Sequence, residues 1–368
     1  MKICFISLDA YPLFSRGQQS VQGGAEVDVY MLSTESAKDQ RFKVSFITGD
    51  YGQNDVEVFE NVTIYKTLAL QSPIAAALSL WRTLCRVDAD IYFKKGASLV
   101  TTLIALFCRI HHKSFILRTS HKTECDGSYI HSQLLKGWAY RWALKTAKYV
   151  FVQNTQDCES LWKTTGVRSS AIPNGHRAPN SFAGERKWIL WVGRSVAFKR
   201  PELFIRLAQA FPSEQFIMIC QWAKGDKNFN KPVEQNKLVE EIKNAPNLKF
   251  IEHVPFHQID AYFEGAKLFV NTSDAEGFPN VFIQACKCRT PILSLNVNPD
   301  SFIDRYKCGF CAQGDWHRFK EMMVKLLEPK VAEQYGNNGR QYFEETHNIE
   351  KIIQAYKPLF QQIVDDTK

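Results

Sequence analysis

The stretch KLFVNTSDAEGFPNVFIQACKCRTPILSL, residues 267–295, decides the fold. It opens on a continuous apolar run, residues 267–273, of the kind found in strands covered on both faces. A polar loop follows. Residues 279–287 then read as a short helix, and residues 290–295 as another strand. A strand, a helix and a second strand in close succession make a crossover unit whose two strands lie parallel in one sheet.

The same alternation runs outward in both directions. Upstream lie the strand-like runs KWILWVG, QFIMIC and NLKFIE, with helical patterns over residues 201–211, 233–244 and 257–264. The first half has KICFISL, FKVSFIT, ADIYF, SFILRT and YVFVQ, with helical patterns over residues 97–110, 132–147 and 155–165. The expected class is therefore α/β, with two Rossmann-like doubly wound domains. A length of 368 residues suits two domains. The segment IPNGHRAPNSFAGER, rich in Pro, Gly, Asn and Ser, marks the boundary. The expected domains are residues 1–175 and 176–345, with residues 346–368 forming a helix that packs back on the first.

Composition narrows the function classes. No secretory signal follows Met1, and the longest apolar stretch, residues 97–110, is too short to span a bilayer. Ten cysteines in such a chain imply a reducing compartment, so the expected location is cytoplasmic. The spacings CKC and CGFC, at residues 286–288 and 308–311, admit zinc but read better as small core residues. Residues 1–180 carry 21 Lys+Arg and 15 Asp+Glu, the remainder 25 and 23. The basic excess sits in the first half, which suits an anionic membrane surface. It lacks the basic stripe with interleaved aromatics that nucleic acid demands.

In open α/β sheets ligands bind beyond the carboxyl ends of the strands. Four strand ends carry informative residues. After the first strand, Gly23 and Gly24 open a helix, where bare backbone amides favour an anion. After SFILRT come His121, able to hydrogen-bond a sugar hydroxyl or act as acid or base, and Asp126, which Gly127 marks as a turn residue. After WVG come Gly193, Arg194 and Lys199, with Pro201 in the first helical turn, so two cations can converge on one anion. The last is the quoted loop. There the amides of Gly277, Phe278 and Asn280 can face a ligand at the helix start near Pro279. Glu276 can accept from hydroxyls, and Gln284 lies eight residues on.

VGRSVAFKRPELF and EGFPNVFIQACKCRTPILSL, with GGAE and IPNGH, resemble the retaining GT-B glycosyltransferases of family 4, the glycosyl transferases group 1. The resemblance covers the whole chain. It implies two doubly wound domains facing across a cleft and a nucleotide-sugar donor as substrate. The acceptor is then a glycan or lipid-linked glycan of surface polysaccharide or lipopolysaccharide assembly. No cofactor and no metal are expected. Arg194 and Lys199 then stand for the pair on the donor diphosphate, and Glu276 for the acid that contacts the transferred sugar. The amides of Gly277, Phe278 and Asn280 assist it. Gly193 and Pro279 belong to the same donor loops, His121 stands near the donor sugar, and Gly23 and Gly24 stand for the glycine loop by phosphate and acceptor. Gln284 departs from the pattern, because most members carry a second glutamate there. Its amide has one acceptor end and one donor end where a carboxylate only accepts. That departure keeps a non-catalytic nucleotide-sugar-binding relative in view, and a nucleotide-sugar epimerase is the other rival.

One more segment bears on location. KGWAYRWALKTAKY, residues 136–149, has a helical pattern with Arg141, Lys145 and Lys148 on one face and Trp138 and Trp142 beside it. Indoles next to cations suit the interface of an anionic bilayer, so peripheral attachment to the inner face of the plasma membrane is expected.

Overall fold

The computed structural model describes residues 1–15, 23–68, 72–179, 184–222 and 233–365. The chain divides into two units. One comprises Met1–Arg177 and the segment from His347 onward; the other is Ala178–Thr346.

The first unit has strands β1 (Lys2–Ile6), β2 (Lys43–Thr48), β3 (Val56–Phe59), β4 (Val62–Lys66), β5 (Ile91–Lys95), β6 (Ser114–Arg118), β7 (Tyr149–Val152) and β8 (Ser170–Ala171). They form one sheet in the order β3-β4-β2-β1-β5-β6-β7-β8. All neighbours are parallel except β3 and β4, a hairpin whose Glu60 and Asn61 both take positive φ, as a tight two-residue turn requires. Its helices are α1 (Tyr11–Phe14), α2 (Gly24–Ser36), α3 (Pro73–Val87), α4 (Leu99–Ile110), α5 (Ser128–Ser132), α6 (Leu134–Thr146) and α7 (Thr155–Thr165). Local chemistry starts several of them. Ser98 caps α4 by accepting from Thr101 N (3.1 Å), and Asn154 caps α7 by accepting from Asp157 N (2.8 Å).

The second unit has β9 (Trp188–Arg194), β10 (Gln215–Gln221), β11 (Leu248–Ile251), β12 (Ala266–Asn271), β13 (Ile292–Ser294) and β14 (Gly309–Cys311). Its sheet is wholly parallel, in the order β11-β10-β9-β12-β13-β14. The helices are α8 (Pro201–Ala210), α9 (Gln235–Lys243), α10 (Ile259–Glu264), α11 (Asn280–Lys287), α12 (Phe302–Tyr306), α13 (Trp316–Leu327) and α14 (Pro329–Thr346). Alternate residues of β9 face opposite cores. Ile189 and Trp191 join Phe204 and Phe319 on one side, while Leu190 joins Phe263 and Phe282 on the other.

The last helix, α15 (Ile349–Asp365), belongs to the first unit and packs on α2. A fully buried polar network holds it there. Asp28 Oδ2 receives Lys95 Nζ (2.8 Å) and lies 2.9 Å from Arg118 Nε. Arg118 also donates to Tyr356 Oη of α15 (2.5 Å), and both cations donate to Asn174 Oδ1. His347 Nδ1 pairs with Asn174 O (2.8 Å). Burial would raise the Asp28 carboxyl, but Arg118 and then Lys95 hold it below its ordinary value. Removing one partner would strand a charge in apolar surroundings, so the network fixes where this segment sits.

Candidate active site

In each sheet, neighbouring strands whose connections run off in opposite directions define a switch point, where a crevice opens beyond their carboxyl ends. In the second unit these strands are β9 and β12. β9 ends in Arg194 and the loop after it carries Lys199; the loop after β12 carries Glu276.

The two loops are stitched together. Trp191 Nε1 donates to Thr272 Oγ1 (3.0 Å), which donates to Lys199 O (2.7 Å). Asp274 N donates to Phe198 O (2.7 Å). Arg200, at φ 50°, bridges Glu202 (2.6 Å) and Asp274 (3.3 Å). On this base the Lys199 ammonium and the Glu276 carboxylate are in direct contact. Their side chains are 16% and 11% exposed, so the pair is largely withdrawn from water and is not a loose surface bridge. Ser273 Oγ also donates to Glu276 Oε1 (2.9 Å), and Asn271 Nδ2 donates to Ser273 Oγ (3.2 Å). Gly193 makes room for this: a Cβ there would stand 3.1 Å from Lys199 Cδ and 2.7 Å from the Trp191 ring.

The remaining residues that the resemblance assigns to the donor divide. Arg194 ends β9 and is half-buried. Pro279 is the N-cap of α11, and no side chain caps its first amides. Gly277 is buried, and Phe278 turns into the core against Phe302 (rings 5.0 Å apart). Gln284 lies one turn into α11, because the helix starts at Asn280; it therefore shares a face with Asn280. Its side chain is 6% exposed, and its amide makes no hydrogen bond to a described residue.

In the first unit the switch lies between β1 and β5. Gly23 is the N-cap of α2 and Gly24 its first residue; residues 16–22 of the loop before them lie outside the described residues. His121 caps the short turn Lys122–Glu124, its Nδ1 paired with Thr123 Oγ1 (2.9 Å) and accepting from Thr123 N (3.3 Å). Asp126 Oδ1 accepts from Ser128 N (2.9 Å), a turn role. A set that sequence reasoning missed surrounds Lys94, near the end of β5. Burial lowers the Lys94 pKa, opposed by Glu26, Glu124 and Asp9. Glu124 accepts from Ser120 N (3.0 Å) and Ser120 Oγ (2.5 Å). The readable signal was Lys94 itself, a cation at a strand end.

The cysteines of CKC and CGFC are free and buried. A hydrogen bond with Cys308 and then burial push the Cys286 thiol upward, and burial and then Asp260 do the same to Cys288, away from thiolate. Among the described residues, no three His, Cys, Asp or Glu side chains gather to hold a metal.

Comparison with known proteins bears on both units. Residues 174–342 match the family described as Glycosyl transferases group 1. An uncharacterized glycosyltransferase of Haemophilus influenzae is 28% identical over 222 residues, which are 55% of this chain and 58% of that protein. The match thus spans little more than half of that relative's length. Sucrose-phosphate synthase of Thermosynechococcus elongatus matches in structure over 99% of both chains, at 16% identity and a TM-score of 0.77. HepE of Anabaena, solved in complex with UDP, matches over 98% of this chain and 100% of its own, at 14% identity and a TM-score of 0.72. Stitched strand ends at the switch point, a family match over residues 174–342 and structural likeness along the whole chain lead to one conclusion: this is a chain of GT-B fold whose residues 174–342 match the glycosyl transferases group 1.

Proposed function

We propose that the chain is a retaining glycosyltransferase of family 4, a metal-independent hexosyltransferase acting on a nucleotide-sugar. The acceptor is a glycan or lipid-linked glycan in surface polysaccharide or lipopolysaccharide assembly. The observation that carries the reading is the contact of Lys199 with Glu276 at the carboxyl ends of β9 and β12. A uridine diphosphate donor is the first choice, because HepE was solved with UDP.

The chemistry follows from these groups. The bond between the sugar's anomeric carbon and the diphosphate breaks, and negative charge gathers on the departing phosphate. Lys199 has three N–H donors, so it can keep Glu276 and still reach a phosphate oxygen. Arg194, at the end of β9, adds a second cation, and the two together supply the charge a metal would otherwise bring. Glu276, steadied by Ser273, accepts hydrogen bonds from the sugar's hydroxyls. An acceptor hydroxyl attacks the same face and passes its proton to the leaving phosphate, which retains configuration. Asp9, Glu26 and Glu124, around Lys94, offer acceptors for the hydroxyls of that second substrate.

Lys199→Ala and Arg194→Ala are expected to lower turnover of a UDP-sugar by about 2–4 kcal/mol of transition-state stabilisation each, with the fold intact by circular dichroism. Transfer to a glycan acceptor and hydrolysis of the donor are the readouts. Wild-type rates in both variants would move the diphosphate elsewhere. Gln284 favours a second reading, a relative that binds nucleotide-sugars without turning them over. Any donor hydrolysis that the Lys199 variant loses excludes it.

A further inference from the structure

Three of the longer helices of the first unit, those of ten residues or more, lack acidic residues altogether. These are α3, α4 and α6, and α4 packs against both of the others. Together they carry Arg82, Arg86, Arg109, Lys136, Arg141 and Lys145, all exposed. Between residues 91 and 156 the chain holds two acids, Glu124 and Asp126, and neither lies on these helices.

The same helices carry most of the large apolar side chains that the described residues leave in water. On α3, Ile74 is 75% exposed and Leu78 52%. Leu99, Leu106 and Ile110 form a stripe along α4, all at least 40% exposed. At the start of α6, Leu134 and Leu135 are each 85% exposed and Trp138 is 70% exposed. Burial of Gly137 against the backbone of Ile130 closes α5 onto α6, and the residues on either side of it face outward. Trp142 differs from the sequence expectation: it is half-buried against the core, so the outward indole is Trp138 alone of the two.

Such exposure costs free energy unless something covers it, since patches of this extent mark interaction surfaces. The residues stand on the outward sides of the helices and are interspersed with cations. An outward indole and leucines beside lysine and arginine suit the boundary between headgroups and acyl chains. Among the described residues no helix is long and apolar enough to cross a membrane, so the contact is with the surface layer.

We propose that the α3–α4–α6 face docks on an anionic lipid bilayer, with Leu134, Leu135 and Trp138 inserted at the headgroup boundary and the six cations over the phosphates. The docking face uses none of the residues assigned to transfer, so its failure and that of the transferase reading are separable: vesicle binding is read without any donor or acceptor.

The test uses the full chain and vesicles of phosphatidylcholine, with and without about 30% phosphatidylglycerol. The chain is expected to sediment with the anionic vesicles, weakly with the neutral ones, and less as salt rises. Leu134→Glu with Leu135→Glu should abolish binding with donor hydrolysis unchanged. Replacing Lys136, Arg141 and Lys145 by Gln should lower the partition coefficient by roughly 10²-fold, at about fivefold per charge. Trp138 fluorescence should shift to the blue on binding, and brominated lipid should quench it. Three results overturn the proposal: no sedimentation with either vesicle at low salt, unchanged binding by the Leu134/Leu135 variant, or a dimer in solution that this variant dissolves while vesicles are ignored.

Discussion

Gln284 is 6% exposed and no described residue hydrogen-bonds its amide, yet the amide's polar atoms are not sealed from solvent, and a polar end left open in this way invites an explanation. Ligand binding is one, since a ribose hydroxyl pair could satisfy both ends of the amide at once. Gln284→Glu tests it. Without ligand the new carboxylate is mostly withdrawn from water and has no cation beside it among the described residues, so the melting temperature should fall, by about 2–4 °C per kcal/mol lost. With UDP, affinity by calorimetry should hold or rise, and the lost stability should return in part. An equal fall with and without UDP would mean that Gln284 only packs. The Lys199–Glu276 contact contrasts with this residue. Both partners were legible in the sequence, because a charged residue just past an apolar strand has few structural reasons to be there. The Ser273 and Thr272 hydroxyls that hold them were not, because serine and threonine at a loop start are too common to single out.

The element that sets the Lys199 and Glu276 loops is β9 with its exit. Gly193→Ala would press a methyl against Trp191 and the stem of Lys199. Overpacking of this kind costs about 1–3 kcal/mol. Here the flexible lysine is the partner able to give way, so kcat should fall more than stability does. Comparing kcat with the urea midpoint checks this; a stability loss alone would mean that Lys199 stays in place. The long strands were legible as elements because burial on both faces leaves an unbroken apolar run, as in β1, β9 and β12. The hairpin β3–β4 escaped sequence reading because its strands are short, edge-placed and partly exposed, so VEVF carries a charge within it. β8 and β14, of two and three residues, are too short to show any period. α3 was missed for another reason: its helical start lies in Ser72 and Pro73, and its first half is apolar on the outward side as well, at Ile74 and Leu78, so the contrast that reveals a surface helix begins only at Arg82.

At the scale of the whole molecule, the buried network makes the first unit sensitive to acid. Burial drops the His347 pKa from 6.5 to about 4. Between those values the unfolded chain binds a proton that the folded one refuses, so stability falls as pH is lowered through this window, by roughly 3 kcal/mol in full. Asp28, whose folded pKa is lowered, adds a loss of the same sign at still lower pH. The slowest amides of β6 should therefore exchange faster at pH 5 than at pH 7, after correction for intrinsic rates, and His347→Asn should flatten that dependence. No flattening would clear His347 of the effect. The network also orders events in time. Arg118 and Tyr356 are 238 residues apart. At about 5–20 residues per second, a ribosome delivers Tyr356 some 10–50 s after Arg118. For that interval the nascent first unit holds two cations, Lys95 and Arg118, beside Asp28 with neither the Tyr356 hydroxyl nor His347 to complete their shell. The intervening unit, continuous in sequence, can close meanwhile. Synthesis thus finishes the second-encoded half before the first, and the earliest residues made are among the last to be sealed.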